Sequence, residues 1–115
     1  MKRAGEVVVI NYPFSDLSQA KLRPALLLGK LPGEHDDWLV CMISSRVRQQ
    51  IDGFDEVVKT DDADFGQSGL KAASVIRIGR LLVVEGKLLP GSLGSISTER
   101  LQRVRSRLAA WLLQA

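Results

Sequence analysis

The chain is poor in the residues that carry the most distinctive chemistry, with one cysteine and one histidine among 115 residues. One cysteine cannot form an internal disulfide, and a reducing compartment is the expectation. One cysteine and one histidine fall short of the roughly four nitrogen and sulfur ligands that a structural zinc site needs. A two-histidine ribonuclease mechanism is excluded, and so is a Ser-His-Asp triad without His35. Long apolar runs are missing too. Behind the basic start the first run covers only residues 7–10, too short for a signal peptide or a membrane span. The expectation is a soluble, cytoplasmic protein without internal repeats or low-complexity linkers.

What is present has an ordinary globular balance, 45% apolar and 25% charged, which argues against wholesale disorder. A length of 115 residues suits a single domain, residues 1–115, burying roughly two thirds of its unfolded surface. The net charge of +3, from 16 basic and 13 acidic side chains, permits a nucleic-acid partner without demanding one. The distribution says more. Residues 1–70 carry 8 basic and 11 acidic side chains, and residues 71–115 carry 8 and 2. Acidity gathers between Asp52 and Asp64, and cations gather around Arg77 and in the last segment. Such polarity suits an anionic backbone or an acidic peptide and predicts salt-sensitive binding.

Short apolar runs rich in Val and Ile, divided by turn residues, predict strands over 6–11, 24–30, 38–44, 54–60, 73–78 and 81–85. Gly79 and Arg80 separate the last two. Residues 11–21 and 61–69 read as polar loops, and Leu31-Pro32-Gly33 as a turn. The end is helical. Ser97 is placed to cap it, Glu99 lies in the first turn, and Ile96 and Leu101 stand at staple spacing. Leu101, Val104, Leu108 and Trp111 form an apolar stripe, with Arg100, Arg103 and Arg107 off it. The expected fold is mainly β with a C-terminal helix (β+α), a small β-barrel closed by that helix.

Three places can carry chemistry. Arg23 precedes Pro24, so its backbone is restricted to extended conformations, and its guanidinium can fork onto a phosphate; the plainer reading is a solvated rim charge. The strand over 38–44 runs out into Ser44, Ser45 and Arg46, hydroxyls and cations able to bind a phosphate or base edge; the plainer reading is a polar strand end with turn-forming serines. Arg77 interrupts an apolar strand and must find a partner, either a ligand or a structural ion pair with Asp55 or Glu56. Asp61, Asp62 and Asp64 lack calcium-loop spacing and read as a solvated loop rather than a Mg²⁺ site. His35 reads as an exposed loop residue and Cys41 as core.

In order and spacing these pieces resemble the MazF/PemK family of toxin–antitoxin endoribonucleases. The matching segments are residues 5–14, Lys21-Leu22-Arg23-Pro24 with the apolar residues after it, Ile43-Ser44-Ser45, Ser74-Val75-Ile76-Arg77, and Leu93-Gly94 with the helix. The resemblance implies an SH3-like, CcdB-like barrel of about six to seven strands, formed as a homodimer. It implies metal-independent cleavage of single-stranded RNA at a short sequence, with no cofactor, and a small antitoxin whose acidic disordered tail blocks the groove. It assigns catalytic roles to Arg23, Ser44 and Arg77. Phe14, Lys21, Ser45, Arg46 and Arg80 are the expected RNA-binding residues. The chain departs from the pattern at Gly79, where some members carry Asp, and at residues 82–85, where a Thr is missing.

Cleavage without histidine pairs or metal is chemically reasonable, because RNA supplies its own 2′-OH nucleophile. The protein has to align it, stabilise phosphoryl charge and manage two protons. Arg23 and Arg77 would clamp the phosphate while Ser44 hydrogen-bonds it. An arginine is a poor general base, and Glu6, Asp16 and His35 stand as unselected proton carriers. Phe14 either stacks on a base or plugs the barrel end. Two other readings remain: a non-catalytic CcdB-like toxin that binds a protein such as gyrase, and a nuclease-dead member that binds RNA or antitoxin.

Overall fold

Strand β1 (Glu6–Tyr12) lies at the heart of one half of a curled antiparallel sheet. The computed structural model describes residues 2–12 and 21–115. The other strands are β2 (Lys21–Lys30), β3 (Asp37–Ser44), β4 (Glu56–Val58), β5 (Ser74–Glu85) and β6 (Ser92–Ser95). Their spatial order is β4-β5-β3-β2-β1-β6, and every pairing is antiparallel. A short helix α1 (Phe65–Ser68) precedes β5, and the long helix α2 (Thr98–Gln114) ends the chain. The mainly-β plan with a C-terminal helix is therefore the observed one.

Several details differ from the sequence reading: α1 lies inside the expected 61–69 loop, and β2 begins at Lys21 rather than at residue 24. The run over 54–60 pairs only across Glu56–Val58. The runs over 73–78 and 81–85 form one strand, because Gly79 and Arg80 make a bulge rather than a break. The register jumps there from Met42 opposite Arg77 to Cys41 opposite Leu81, so Ile78, Gly79 and Arg80 fall outside the ladder and β5 bends. Strand β6 was unexpected. Among the described residues no ladder joins β4 to β6, and α1 packs against β6 instead. A Cβ on Gly94 would collide with the Gln67 carbonyl, and one on Gly69, at φ +75°, would collide with that of Leu93. Only glycines let these two backbones come so close.

The α2 start follows its sequence signals. Ser97 Oγ accepts the Arg100 N–H at 3.2 Å, and Ile96 and Leu101 are both buried beneath the first turn. Leu101, Val104 and Leu108 press onto one face of the sheet, against Val7, Leu26, Cys41, Ile43, Ile76 and Ile78. Trp111, the last residue of the expected stripe, is half exposed and meets the Phe54 ring at 6.1 Å between centroids. The opposite face holds a second apolar cluster that includes Val8, Ile10, Ala25, Leu27, Val40 and Met42. With α2 on the first face, that second face is where functional groups can be presented. Among the described residues no helix is long and apolar enough to cross a membrane.

Candidate functional site

Strand alternation puts Arg23, Ser44 and Arg77 on the face away from α2. Arg23 shares the side of Ala25 and Leu27, and Ser44 that of Met42 and Val40. Arg77 points opposite to Ile76 and Ile78, which face the helix. The register sets Val8, Ala25, Met42 and Arg77 in one cross-strand row. In the next row Ile10 pairs with Arg23 and Ser44 with Val75, and continuing the β2–β3 register by two residues sets Arg23 across from Ser44. Arg23 and Arg77 thus lie two strands apart and one row offset, about 12 Å between backbones, with Ser44 on the strand between them. The apolar face runs out at this end into two guanidinium groups and a hydroxyl. A groove of about 280 Å³, lined in part by Ile10, Leu22, Leu88 and Leu89, adjoins the Arg23 row.

Each group is held. The Ser44 hydroxyl is buried and accepts the Arg46 N–H at 3.1 Å, which leaves its own proton to donate. Arg77 is fixed from outside the strand. Its Nε lies 3.3 Å from Asp55 Oδ2, and its Nη1 donates to Gln49 Oε1 at 3.0 Å. The ion pair with Asp55 weighed from sequence is therefore present. Asp55, 2% exposed, also accepts the N–H of Ile51 and that of Ile78 in the bulge, both at 3.0 Å. Gln49 lies on a 3-10 turn, Val47–Gln49, and nothing in the sequence singles it out.

Ser45 and Arg46 follow Ser44 on the surface, and Arg80 is exposed on the β5 bulge, three residues from Arg77. Lys21 opens β2 at the same end of the sheet. Phe14 and Asp16 lie outside the described residues. The other two proton carriers are not at the site. Glu6 begins β1, four residues or about 13 Å along the strand from Ile10, and its Oε2 accepts the Arg3 N–H at 2.6 Å. His35 is exposed in the β2–β3 turn, at the far end of β3 from Ser44, roughly 20 Å or more away. Cys41 is fully buried as expected. Burial pushes its thiol well above the usual range, and the Asp55 charge adds to this.

The largest correction concerns the acidic segment and the helix. Asp62 and Asp64 do not form a solvated loop, and Arg100 is not on an exposed face. Arg100 is 5% exposed, and its guanidinium donates to Asp64 Oδ2 and Oδ1, Asp62 Oδ2, Glu56 Oε1 and the Val57 carbonyl at 2.8–3.0 Å. Glu56 also receives Arg103 at 2.7 Å and Arg107 at 2.9 Å. The charge separation along the sequence is thus largely spent inside the molecule. The Arg100 hydrogen bond holds the Asp64 carboxyl down at about 2, and a backbone hydrogen bond from Lys59, aided by Arg100, lowers Asp62. Burial alone would lower the Arg100 guanidinium, but hydrogen bonds and charge from Asp64 and its neighbours outweigh it and raise it.

One protein-family model, the PemK-like, MazF-like toxin of type II toxin–antitoxin system, matches residues 3–112. No individual curated protein matches the chain.

Proposed function

The chain belongs to the PemK-like, MazF-like toxins of type II toxin–antitoxin systems, and on that premise we propose that it is a metal-independent endoribonuclease cutting single-stranded RNA at a short sequence. The carrying observation is the placement of Arg23, Ser44 and Arg77 in two adjacent rows at one end of one sheet face. A phosphate set between the two guanidinium groups receives charge-assisted hydrogen bonds from both sides and a third from the Ser44 hydroxyl. The RNA 2′-oxygen then bonds to phosphorus as the 5′-oxygen leaves, giving a cyclic phosphate and a 5′-hydroxyl. Fixed donors aimed at the phosphoryl oxygens stabilise the charge that builds there, each worth about 10²–10³ in rate. With His35 at the far end of β3, the rate stays flat between about pH 6 and 8.

Arg46 and Arg80 extend the cationic surface along the RNA backbone, joined by Lys21, with Phe14 as a stacking platform. The same surface takes the acidic tail of a small antitoxin, so tail and RNA compete. We read the half-barrel sheet and its helix as a CcdB-like barrel, and the family resemblance adds a homodimer acting in the cytoplasm, for which exposed Leu112 and Leu113 are contact candidates. A second reading is favoured by Gly79: a member that binds RNA or antitoxin without cutting.

The test is incubation with mixed-sequence single-stranded RNA in EDTA, beside Arg23→Ala and Arg77→Ala, with expression in bacteria. Cleavage by the unaltered protein, slowed about 10²–10³-fold in each variant, is the expected outcome. Cleavage undiminished in either variant refutes that residue's role. Growth arrest without cleavage supports a toxin aimed at a protein such as gyrase, and neither effect supports the binding-only member.

A further inference from the structure

We infer that Asp55 is the positioning residue for Arg77, with Gln49 as its second tether, an assignment that rests on the reading of Arg77 as a phosphate clamp. Arg77 stands at the last ladder position before the β5 bulge. A strand leaving its register there has nothing in its own ladder to fix the next peptide or the side chain beside it. Asp55 supplies both. One oxygen accepts the Ile78 N–H of the bulge at 3.0 Å, and the other lies 3.3 Å from Arg77 Nε while accepting the Ile51 N–H. A single buried carboxylate thus ties the bulge, the loop over 51–55 and the guanidinium together. Gln49 Oε1 holds Nη1 from the solvent side at 3.0 Å.

With Nε and Nη1 engaged, Nη2 is the nitrogen no described residue takes, and it is the donor left for a phosphate oxygen. An untethered arginine loses most of its rotamer freedom when it binds; here that ordering is completed on folding. The Asp55 charge also offsets part of the guanidinium's pull. Removing that charge while keeping the shape therefore leaves phosphate affinity equal or stronger, yet loosens the aim. A residue serving only the scaffold would not separate affinity from turnover in this way.

The experiment is a double-mutant cycle on Asp55→Asn and Arg77→Ala. Single-turnover cleavage uses a mixed-sequence single-stranded RNA, and affinity uses the matching 2′-deoxy strand, which lacks the nucleophile. Asp55→Asn is expected to slow cleavage about tenfold while the 2′-deoxy strand binds as well or better. In the Arg77→Ala protein the same change is expected to slow the residual rate by less than about twofold, because its effect passes through Arg77. Gln49 is exposed, so Gln49→Ala keeps the fold; it is expected to lose about two- to threefold, again only when Arg77 is present.

Equal slowing with and without Arg77, or no slowing by either change, overturns the assignment. Should Asp55→Asn fail to fold, the Gln49→Ala cycle decides by the same rule. If Arg77→Ala abolishes cleavage while Asp55 and Gln49 are indifferent, the positioning role alone falls. If the unaltered protein does not cut, or Arg77→Ala cuts equally fast, the phosphate-clamp reading falls and takes the positioning role with it.

Discussion

Replacing Arg100 by methionine probes the densest polar contact in the molecule. Arg100→Met keeps a long apolar side chain beneath α2 and removes the charge. Glu56 keeps Arg103 and Arg107, so it is not abandoned. Asp62 is partly exposed and can regain water. The stranded charge is Asp64, with a side chain 6% exposed. Leaving one buried carboxylate without its partner places the loss at the low end of the range for broken buried pairs, about 3 kcal/mol. That is a large share of the roughly 5–15 kcal/mol that holds a domain. With a urea slope of about 1–1.5 kcal/mol/M, the midpoint falls by roughly 2–3 M. The pH dependence gives the sign. In the intact protein the folded Asp64 carboxyl, at about 2, lies below its unfolded value. Its contribution is complete above about pH 5 and is lost as pH falls from there toward 2. Direct conversion of that shift gives about 2.5 kcal/mol, and solvent screening reduces it to about 1–2. In the variant the stranded carboxyl is shifted upward by burial, so acid relieves it. The gap between the two proteins is expected to narrow from about 3 kcal/mol at pH 7 to about 1 at pH 3. Urea titration followed by tryptophan fluorescence at both pH values measures it. A variant within about 0.5 kcal/mol of the parent at pH 7, or a gap that widens in acid, refutes the reasoning.

Gly94→Ala drives a methyl group into the α1 backbone and is expected to cost about 2–3 kcal/mol, seen as a melting temperature lower by about 10 °C or more; an unchanged melt contradicts the packing. Cys41 is expected to resist a thiol reagent at pH 8 in the native protein and to react fully in urea, whereas rapid native labelling would show that its strand is accessible. Gly79→Asp places its Cβ 3.4 Å from the Phe54 ring, with nothing else within 4 Å among the described residues apart from its chain neighbours. On the proposed reading, the variant is expected to fold normally and to raise RNA cleavage about tenfold or more by supplying a carboxylate beside Arg77; a folded variant with no gain shows that a carboxylate at this position does not set the rate.

The sequence exposes features whose cause is local. Val and Ile runs mark β1, β2 and β3, and Ser97 with Ile96 and Leu101 marks the start of α2, because pattern and capping act within a few residues. Strand β6 has no such mark. Its Ser-Leu-Gly-Ser sequence pairs because β1 offers an edge and α1 presses on Gly94. Gly79 and Arg80 read as a break because a bulge and a turn use the same residue types; only the pairing of Leu81 with Cys41 tells them apart. The grouping of Arg23, Ser44 and Arg77 needed the register of three strands, although each residue was legible singly. The burial of Arg100 was hidden for another reason. Helical periodicity ranks side chains by polarity, and a guanidinium that meets three carboxylates from residues 56–64 counts as polar while sitting in the interior. Gln49 carries no signal in the sequence, since its role depends on where one turn of backbone ends up.

The Arg100 clamp also shapes what the molecule looks like from a distance. Three guanidinium groups, of Arg100, Arg103 and Arg107, stand against three carboxylates, of Glu56, Asp62 and Asp64. Their monopole vanishes, and beyond a Debye length of about 8 Å that flank is electrostatically mute. The whole formal charge of +3 therefore belongs to the remaining residues. Arg46 and Arg48, both exposed beyond β3, then contribute positive charge at that end. A polyanion diffusing in is steered toward the strand ends and feels almost nothing from the three paired arginines of α2. Its capture rate tracks charge at Arg46 and Arg48, while charge at Arg100, Arg103 and Arg107 governs whether the fold survives.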